Sequence, residues 1–362
     1  MTGMRMAAPL LALRQGYSVA NVGVLLAMFA LTQVFLALPS GRYADKHGLK
    51  RPVMLSVLAS SLGALLAAIW PVFPVLCLSA LLSGGATGVA IIALQRHVGR
   101  LSRDVDEMRL SYSWLAIGPA VSNFVGPLAA GVLIDVSGFA AAFMFLGVLP
   151  WLSWFAVRSE APMPAAEPSA EVPAKRAWNL LAEPGFRRLL IVNWFLSASW
   201  DMHTFVVPLL GHERGISASA IGAILGGFAL SAALIRIVLP WLAKRWQEWQ
   251  VIALAMLFTS VLLALYPLAH AAWAMGMMSA LLGLSLGSVQ PMVMSSLHQL
   301  LPPNRQGEGL GLRLMLVNAS SVAMPMLFGS LGAWLGVAAV FWCGAATVGA
   351  GSRLAWGLKK TA

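Results

Sequence analysis

The chain has 362 residues, of which 59% are hydrophobic and only 10% are charged, and its mean hydropathy is +0.80. Soluble domains carry about 25% charged residues, so a water-soluble fold of this composition is excluded: it would not cover its own apolar surface. The net charge of +11 is divided among short loops, a distribution that indicates membrane topology and argues against a nucleic-acid partner.

Apolar segments long enough to cross a bilayer recur along the chain. A hydrocarbon core of about 30 Å needs roughly 20 apolar helical residues, whereas a barrel strand needs only about ten alternating ones. The sequence therefore predicts an all-α polytopic membrane protein. Its predicted spans are 19–39, 53–70, 73–95, 111–134, 139–157, 188–211, 217–242, 250–268, 272–296, 309–331 and 334–352. Residues 4–13 form one further apolar stretch, which is too short to cross.

Lysine and arginine are concentrated in alternate loops. The rich segments lie at 42–51, 96–109, 158–188, 244–245, 305–313 and 353–360. The intervening loops hold only Arg14 and Arg214. By the positive-inside rule, the rich segments and the C-terminus face the cytoplasm. We expect a multi-pass protein of a bacterial inner membrane.

A proline-rich stretch at 158–187 reads as a cytoplasmic linker between two helical halves, 1–157 and 188–362. The halves resemble each other. Residues 7–31 laid on 206–230, an offset of 199, give ten identities in 25, and residues 122–143 match 320–341 at an offset of 198. Each half then forms a six-helix bundle, and the two bundles are parallel repeats.

The repeat also bears on the first helix. Met1 aligns with Trp200, in the middle of a span of the second half. We therefore expect a truncated first helix: either the true start codon lies upstream, which we favour, or the protein has eleven full spans and a stub.

The segment after the second span reads Gly41-Arg42-Tyr43-Ala44-Asp45-Lys46-His47-Gly48-Leu49-Lys50-Arg51. It resembles the signature of the major facilitator superfamily, and the resemblance covers essentially the whole chain. It implies two six-helix bundles and a gating loop that latches them. Its members here are Gly41, Asp45, Lys46, Gly48, Lys50 and Arg51. The alternative is that the basic residues only fix topology.

The fifth span carries Gly118-Pro119 and then Gly126-Pro127-Leu128-Ala129-Ala130-Gly131. This pattern is similar to the antiporter motif of bacterial drug and proton exchangers, and it implies export. The physical role of Gly118, Gly126, Pro127 and Gly131 is close helix contact and a bend. The alternative is generic tight packing.

Asp201 is the only acidic residue clearly inside a predicted span. A charge at mid-bilayer costs roughly 2.5–3.5 kcal/mol on insertion scales, so such acids usually face a cavity and serve function. One face of the helix also carries Asn193, Ser197 and Thr204. This face predicts a substrate or proton site. The alternative is a structural hydrogen bond between helices.

Arg236 is predicted as a second buried charge, too far along the helix axis from Asp201 for direct contact. It would bind an anionic group or steady a gate, and a snorkelling structural role is the alternative. Gln290 and Asn318 are further candidates to line a cavity. His203 points about 200° away from Asp201, which favours a packed histidine over a proton relay.

These patterns predict a secondary transporter that works by alternating access, with proton-coupled efflux of a lipophilic or cationic compound. The alternatives are an importer of an organic anion or metabolite and a transporter-like sensor that moves nothing. No catalytic cluster, zinc spacing or phosphate-cradling loop is visible in the sequence, so we expect no enzyme activity, no metal and no cofactor. The expected partners are a small-molecule substrate, protons and the lipid bilayer, and we expect a monomer.

Overall fold

The computed structural model describes residues 1–101, 105–159, 174–242, 246–301 and 306–360, and every regular element in these ranges is a helix. The α-helices are α1 Thr2–Arg14, α2 Val19–His47, α3 Lys50–Ile69, α4 Phe73–Leu101, α5 Val105–Val148, α6 Pro150–Val157, α7 Pro184–Glu213, α8 Ala218–Leu242, α9 Glu248–Leu265, α10 Ala272–Leu300, α11 Gln306–Leu335 and α12 Val337–Trp356. Short 3-10 segments occupy Ala174–Ala182, Tyr266–Leu268 and Gly357–Lys360. Nine of the described helical segments are long and apolar enough to span a membrane. The predicted all-α polytopic fold is confirmed.

The fifth and sixth predicted spans meet inside α5. Gly138 breaks the helix there, with a φ of 83°. This left-handed conformation favours glycine because a Cβ would clash with the backbone. The sixth span continues into α6, which begins at Pro150, where the fixed φ of proline suits a first helical residue.

Contacts divide the chain into two compact units. Unit 1 comprises Met1–Ser169 with Gly215–Gly226, and unit 2 comprises Ala170–Arg214 with Gly227–Ala362. The first turns of α8 therefore pack with unit 1, although they follow α7 in the sequence. Part of the predicted linker, residues 160–173, lies outside the described residues.

The repeat seen in the sequence returns in the backbone. Gly16 and Gly215, 199 residues apart, adopt φ values of 83° and 66°. Gly138 and Gly336, 198 residues apart, adopt 83° and 85°. Turns that need glycine thus recur at matching places, which explains why these glycines are among the identities.

The repeat also returns in the packing within each unit. In unit 1, a Cβ on Gly84 of α4 would clash with the carbonyl oxygen of Phe29 of α2. In unit 2, a Cβ on Gly283 of α10 would clash with the carbonyl oxygen of Phe228 of α8. Both residues of the second pair lie 199 positions after those of the first. The same helix-helix contact, which only glycine permits, is built twice.

α1 is the exception to this symmetry, because it has 13 residues where α7 has 30. Unit 1 holds a cavity of about 300 Å³ beside the first turn of α1, and Val57 and Ser153 are among its lining residues. Their repeat counterparts are Met256 (57 + 199) and Gly351 (153 + 198). In unit 2, a Cβ on Gly351 would lie against both Phe195 of α7 and Met256. The cavity in unit 1 thus corresponds in position to a place that Phe195 of α7 helps to fill in unit 2.

Candidate functional site

Asp201 lies at the middle of α7, with only 7% of its surface exposed. The hydroxyl of Ser321 in α11 donates a hydrogen bond to its Oδ2 atom at 3.2 Å. A hydrogen bond to a carboxylate offsets part of the cost of placing a charge in an apolar environment. The acid therefore faces the α7–α11 contact inside unit 2.

A second polar contact joins the same two helices. Nε of Arg313 in α11 donates to Oδ1 of Asn193 in α7 at 3.1 Å, and both side chains are buried. Asn193 precedes Asp201 by eight residues, which is about 12 Å along a helix. The α7–α11 contact thus includes a cation, Arg313, beside Asn193 and an acid, Asp201, about two turns further along α7.

Arg313 corrects the sequence analysis, which counted it with a basic cytoplasmic segment. It lies inside α11 and is 7% exposed. The available signal was its position inside the predicted span 309–331, where an arginine is as costly as an aspartate. Averaged hydropathy concealed it because the surrounding residues are strongly apolar.

Two buried polar atoms at this contact have no hydrogen-bond partner among the described residues. They are Nδ2 of Asn193 and the hydroxyl of Ser320, which neighbours Ser321. Buried polar groups of native proteins are usually satisfied by protein, water or ligand. These two atoms are therefore polar groups on α7 and α11 that the described residues leave unsatisfied.

Two other predicted residues of the α7 face are placed less favourably for binding. The Thr204 hydroxyl donates to backbone carbonyls of its own helix, those of Trp200 at 3.2 Å and Asp201 at 3.0 Å. Ser197 is half-buried. The α7 site is therefore centred on Asn193 and Asp201.

Arg236 and Gln290 come together in unit 2, but not as buried groups. Nη2 of Arg236 donates to Oε1 of Gln290 at 3.2 Å, and Nε donates to the Gly287 carbonyl at 3.4 Å. Both side chains are exposed, so the prediction of a buried Arg236 is wrong. An arginine has five N–H donors and a long stem, which lets the head leave the apolar region. Asn318 is likewise exposed on α11.

His203 is fully buried on another side of α7. Its Nε2 atom is 2.9 Å from the Ser279 hydroxyl, which in turn is 2.7 Å from the Tyr266 hydroxyl. The ring stacks on Phe228 with centroids 4.0 Å apart. His203 therefore packs α7 against its neighbours, as its direction on the helix predicts.

The signature after the second span is a helix end and not a loop. α2 continues through Gly41 and Lys46 to His47, and α3 begins at Lys50. Gly48 has a φ of 69° in the two-residue turn between them. Lys46 and Arg51 are exposed, and the side chains of Arg42 and Asp45 lie outside the described residues.

The glycines of the fifth span divide into two groups. A Cβ on Gly126 would clash with Thr2 of α1, and one on Gly131 would clash with the Ala218 carbonyl of α8. The carbonyl of Pro127 lies against Gly222 of α8 in the same way. Nothing in the described part of the chain lies within 4 Å of a Cβ on Gly118, which contradicts the prediction that this glycine packs helices closely.

Comparison with known proteins places the chain in a class. The sequence profile of the Major Facilitator Superfamily matches residues 1–197 and 189–360. The chain is 22% identical to multidrug resistance protein 1 of Bacillus subtilis, over 86% of this chain and 80% of that protein. It is 26% identical to the class B tetracycline resistance protein of Escherichia coli, over 85% and 78% respectively.

Solved structures share the fold. The nucleoside transporter NupG matches with a TM-score of 0.78 at 13% identity, over 99% of this chain and 95% of that one. A POT family transporter matches with a TM-score of 0.77 over 99% and 93%. The fold and its apolar helices define a multi-pass membrane protein of the secondary transporter class. The chain belongs to the Major Facilitator Superfamily.

The Arg313–Asn193 bond gives a stability prediction. We expect Arg313→Ala to lower the free energy of unfolding by about 1–3 kcal/mol, because it leaves the buried Asn193 oxygen without its donor. Thermal unfolding of the purified protein in detergent measures this. Arg353→Ala, at an exposed arginine near the end of α12, is the matched control and should change little. Equal melting temperatures for the two variants would contradict the prediction.

Proposed function

We propose that this protein is a proton-coupled exporter of lipophilic or cationic compounds that works by alternating access. One observation carries the proposal: a carboxylate, Asp201, buried in the middle of a helix and hydrogen-bonded to a second helix. Its repeat counterpart is Thr2, so the acid belongs to one half alone. A titratable group that breaks the symmetry of a duplicated scaffold is a candidate for coupling.

In the proposed cycle, a cationic substrate and a proton compete for the carboxylate of Asp201. The deprotonated Asp201 attracts a cationic substrate arriving from the cytoplasm. After the two bundles rock, a proton from the other side neutralises the acid, and the substrate leaves. The protonated, neutral site then returns, so proton entry drives substrate exit.

The named relatives support export. They include a multidrug resistance protein and several tetracycline resistance proteins. The similarity of 118–131 to the antiporter motif agrees with this direction. We further infer that the C-terminus is cytoplasmic, because Arg353 and Lys359 follow the last span. The protein would act as a monomer in the bilayer, without a cofactor or nucleic acid.

Import of an organic anion is the second candidate, and a specific observation favours it. Arg313 is a buried cation in α11, close to the unpartnered Nδ2 of Asn193. An anionic substrate would find a donor-rich site there.

Inverted membrane vesicles separate these functions. Respiration acidifies their interior, and acridine orange reports that pH gradient. If the protein exchanges cations for protons, addition of ethidium releases the quenching in vesicles that carry the protein and not in vesicles that lack it. Deeper quenching on addition of an organic anion, as expected when the anion and a proton enter together, would overturn the export proposal. Ethidium binding without any flux would favour the sensor.

A further inference from the structure

A carboxylate of unit 1 caps a helix that begins in the second repeat. Oδ1 of Asp135, near the Gly138 break of α5, accepts the backbone N–H of Ala218 at 3.1 Å. Its Oδ2 accepts the N–H of Ser219 at 2.7 Å. The first N–H groups of a helix have no partner within the helix. Asp135 satisfies two of them for α8, from 83 and 84 residues away in the sequence.

The cap lies at one end of a close contact between α5 and α8. Gly131 of α5 lies against the Ala218 carbonyl, and Gly222 of α8 lies against the Pro127 carbonyl. One turn further, a Cβ on Gly226 would lie 3.0 Å from the Phe124 carbonyl. We call these residues with Asp135 the α5–α8 seam. Along it the backbones approach so closely that only small residues fit.

The cap is specific to this pair of helices. At the repeat offset of 198 that holds for this part of the chain, the counterpart of Asp135 is Ala333, which carries no carboxylate. Ser217, by contrast, repeats Ser18, and both hydroxyls accept a backbone N–H of their own helix. The local cap is duplicated with the scaffold, whereas the long-range cap by Asp135 is an addition.

We propose that Asp135 is a positioning residue that latches the α5–α8 seam and holds the extracytoplasmic side of the transport path closed. This rests on the proposed alternating access and on a cytoplasmic C-terminus, which places the Gly138 turn outside. Opening to that side requires α8 to leave α5, and both backbone donors then lose their acceptor. The carboxylate thus stabilises the outward-closed state over the outward-open one.

Cysteine accessibility tests the latch without any knowledge of the substrate. In a background with Cys77→Ala and Cys343→Ala, the buried Ala218 is replaced by cysteine as an outside probe. A second protein carries Ile117→Cys, at an exposed site near the other end of the α5 span. A membrane-impermeant maleimide is applied to intact cells for the first and to inverted vesicles for the second.

The latch predicts opposite changes at the two probes. With Asp135→Ala, labelling at position 218 should rise about fivefold, as expected for loss of a cap that contributes about 1 kcal/mol. Labelling at position 117 should fall. Asp135→Asn keeps one acceptor oxygen, so its labelling at each probe should lie between that of Asp135→Ala and that of the parent protein.

Three outcomes would overturn the latch. They are unchanged labelling at 218, a rise at both probes, which reports general loosening, and equal behaviour of the Asn and Ala variants. If ethidium flux were absent from vesicles but labelling still changed in opposite directions at the two probes, the proposed substrate would be wrong and the latch would be supported.

Discussion

Asp201→Asn is expected to abolish proton-driven accumulation of ethidium in inverted vesicles while the variant still folds and inserts into the membrane. Asparagine has a similar size and can still accept a hydrogen bond from the Ser321 hydroxyl, but it takes up no proton. The variant is thus fixed in the neutral form. A neutral residue neither attracts the cationic substrate nor exchanges a proton, so the pH gradient cannot drive accumulation.

Two measurements make this prediction sharp. Accumulation driven by an imposed pH gradient and counterflow of labelled ethidium should both fall to the level of vesicles that lack the protein. Thr2→Val is the matched control, since Thr2 is the repeat counterpart of Asp201 and hydrogen-bonds Ser122 in unit 1. It should keep gradient-driven accumulation. Full accumulation by Asp201→Asn would show that the acid is only structural.

The second large effect is expected at the repeated glycine contacts. Gly84→Ala and Gly283→Ala each place a methyl group against a backbone carbonyl, that of Phe29 and that of Phe228. Two helices must separate to admit it, and overpacking of this kind costs typically 1–3 kcal/mol, occasionally more. We expect either variant to lower the melting temperature in detergent and the yield of folded protein.

Gly118→Ala provides the control for these variants. Gly118 also lies in a helix and in a Gly-Pro pair, but open space surrounds the position where its Cβ would lie. Alanine should be tolerated there, and it favours the helix slightly. If Gly84→Ala were as stable as Gly118→Ala, the close α2–α4 contact would not exist as described.

Much of the fold follows from the sequence because membrane helices obey a few strong rules. Hydrophobic length predicts the spans, including the boundary between 134 and 139 at which Gly138 breaks α5. The internal repeat predicts that the two halves have matching helices and turns. Such features depend on local composition or on self-similarity, and both are visible in one chain.

The site is harder to predict because it depends on which residues of distant helices meet. Asp201 is visible as an acid in an apolar run, but its partner Ser321 lies 120 residues away. Arg313 was assigned to the wrong environment, and Gly118 to the wrong role. Helical periodicity gives the direction of a side chain, but not the depth of its helix or the neighbour that it faces.

The α5–α8 seam illustrates the same limit. Nothing in the sequence around Asp135 predicts an acceptor for the first turn of α8. A carboxylate after a long apolar span usually indicates the membrane surface, and Asp135 is indeed exposed. Its role becomes visible only when the backbone N–H groups of Ala218 and Ser219 are seen to point at it.

The central claim is that a duplicated helical scaffold exchanges protons for substrate through one asymmetric acid. Proteoliposomes that contain the purified protein and trapped pyranine test it most directly. An ethidium gradient, at equal starting pH on both sides and with the membrane potential clamped, should drive protons in the opposite direction, and Asp201→Asn should not. Ethidium flux with no pH change, or the same pH change in Asp201→Asn, would contradict it.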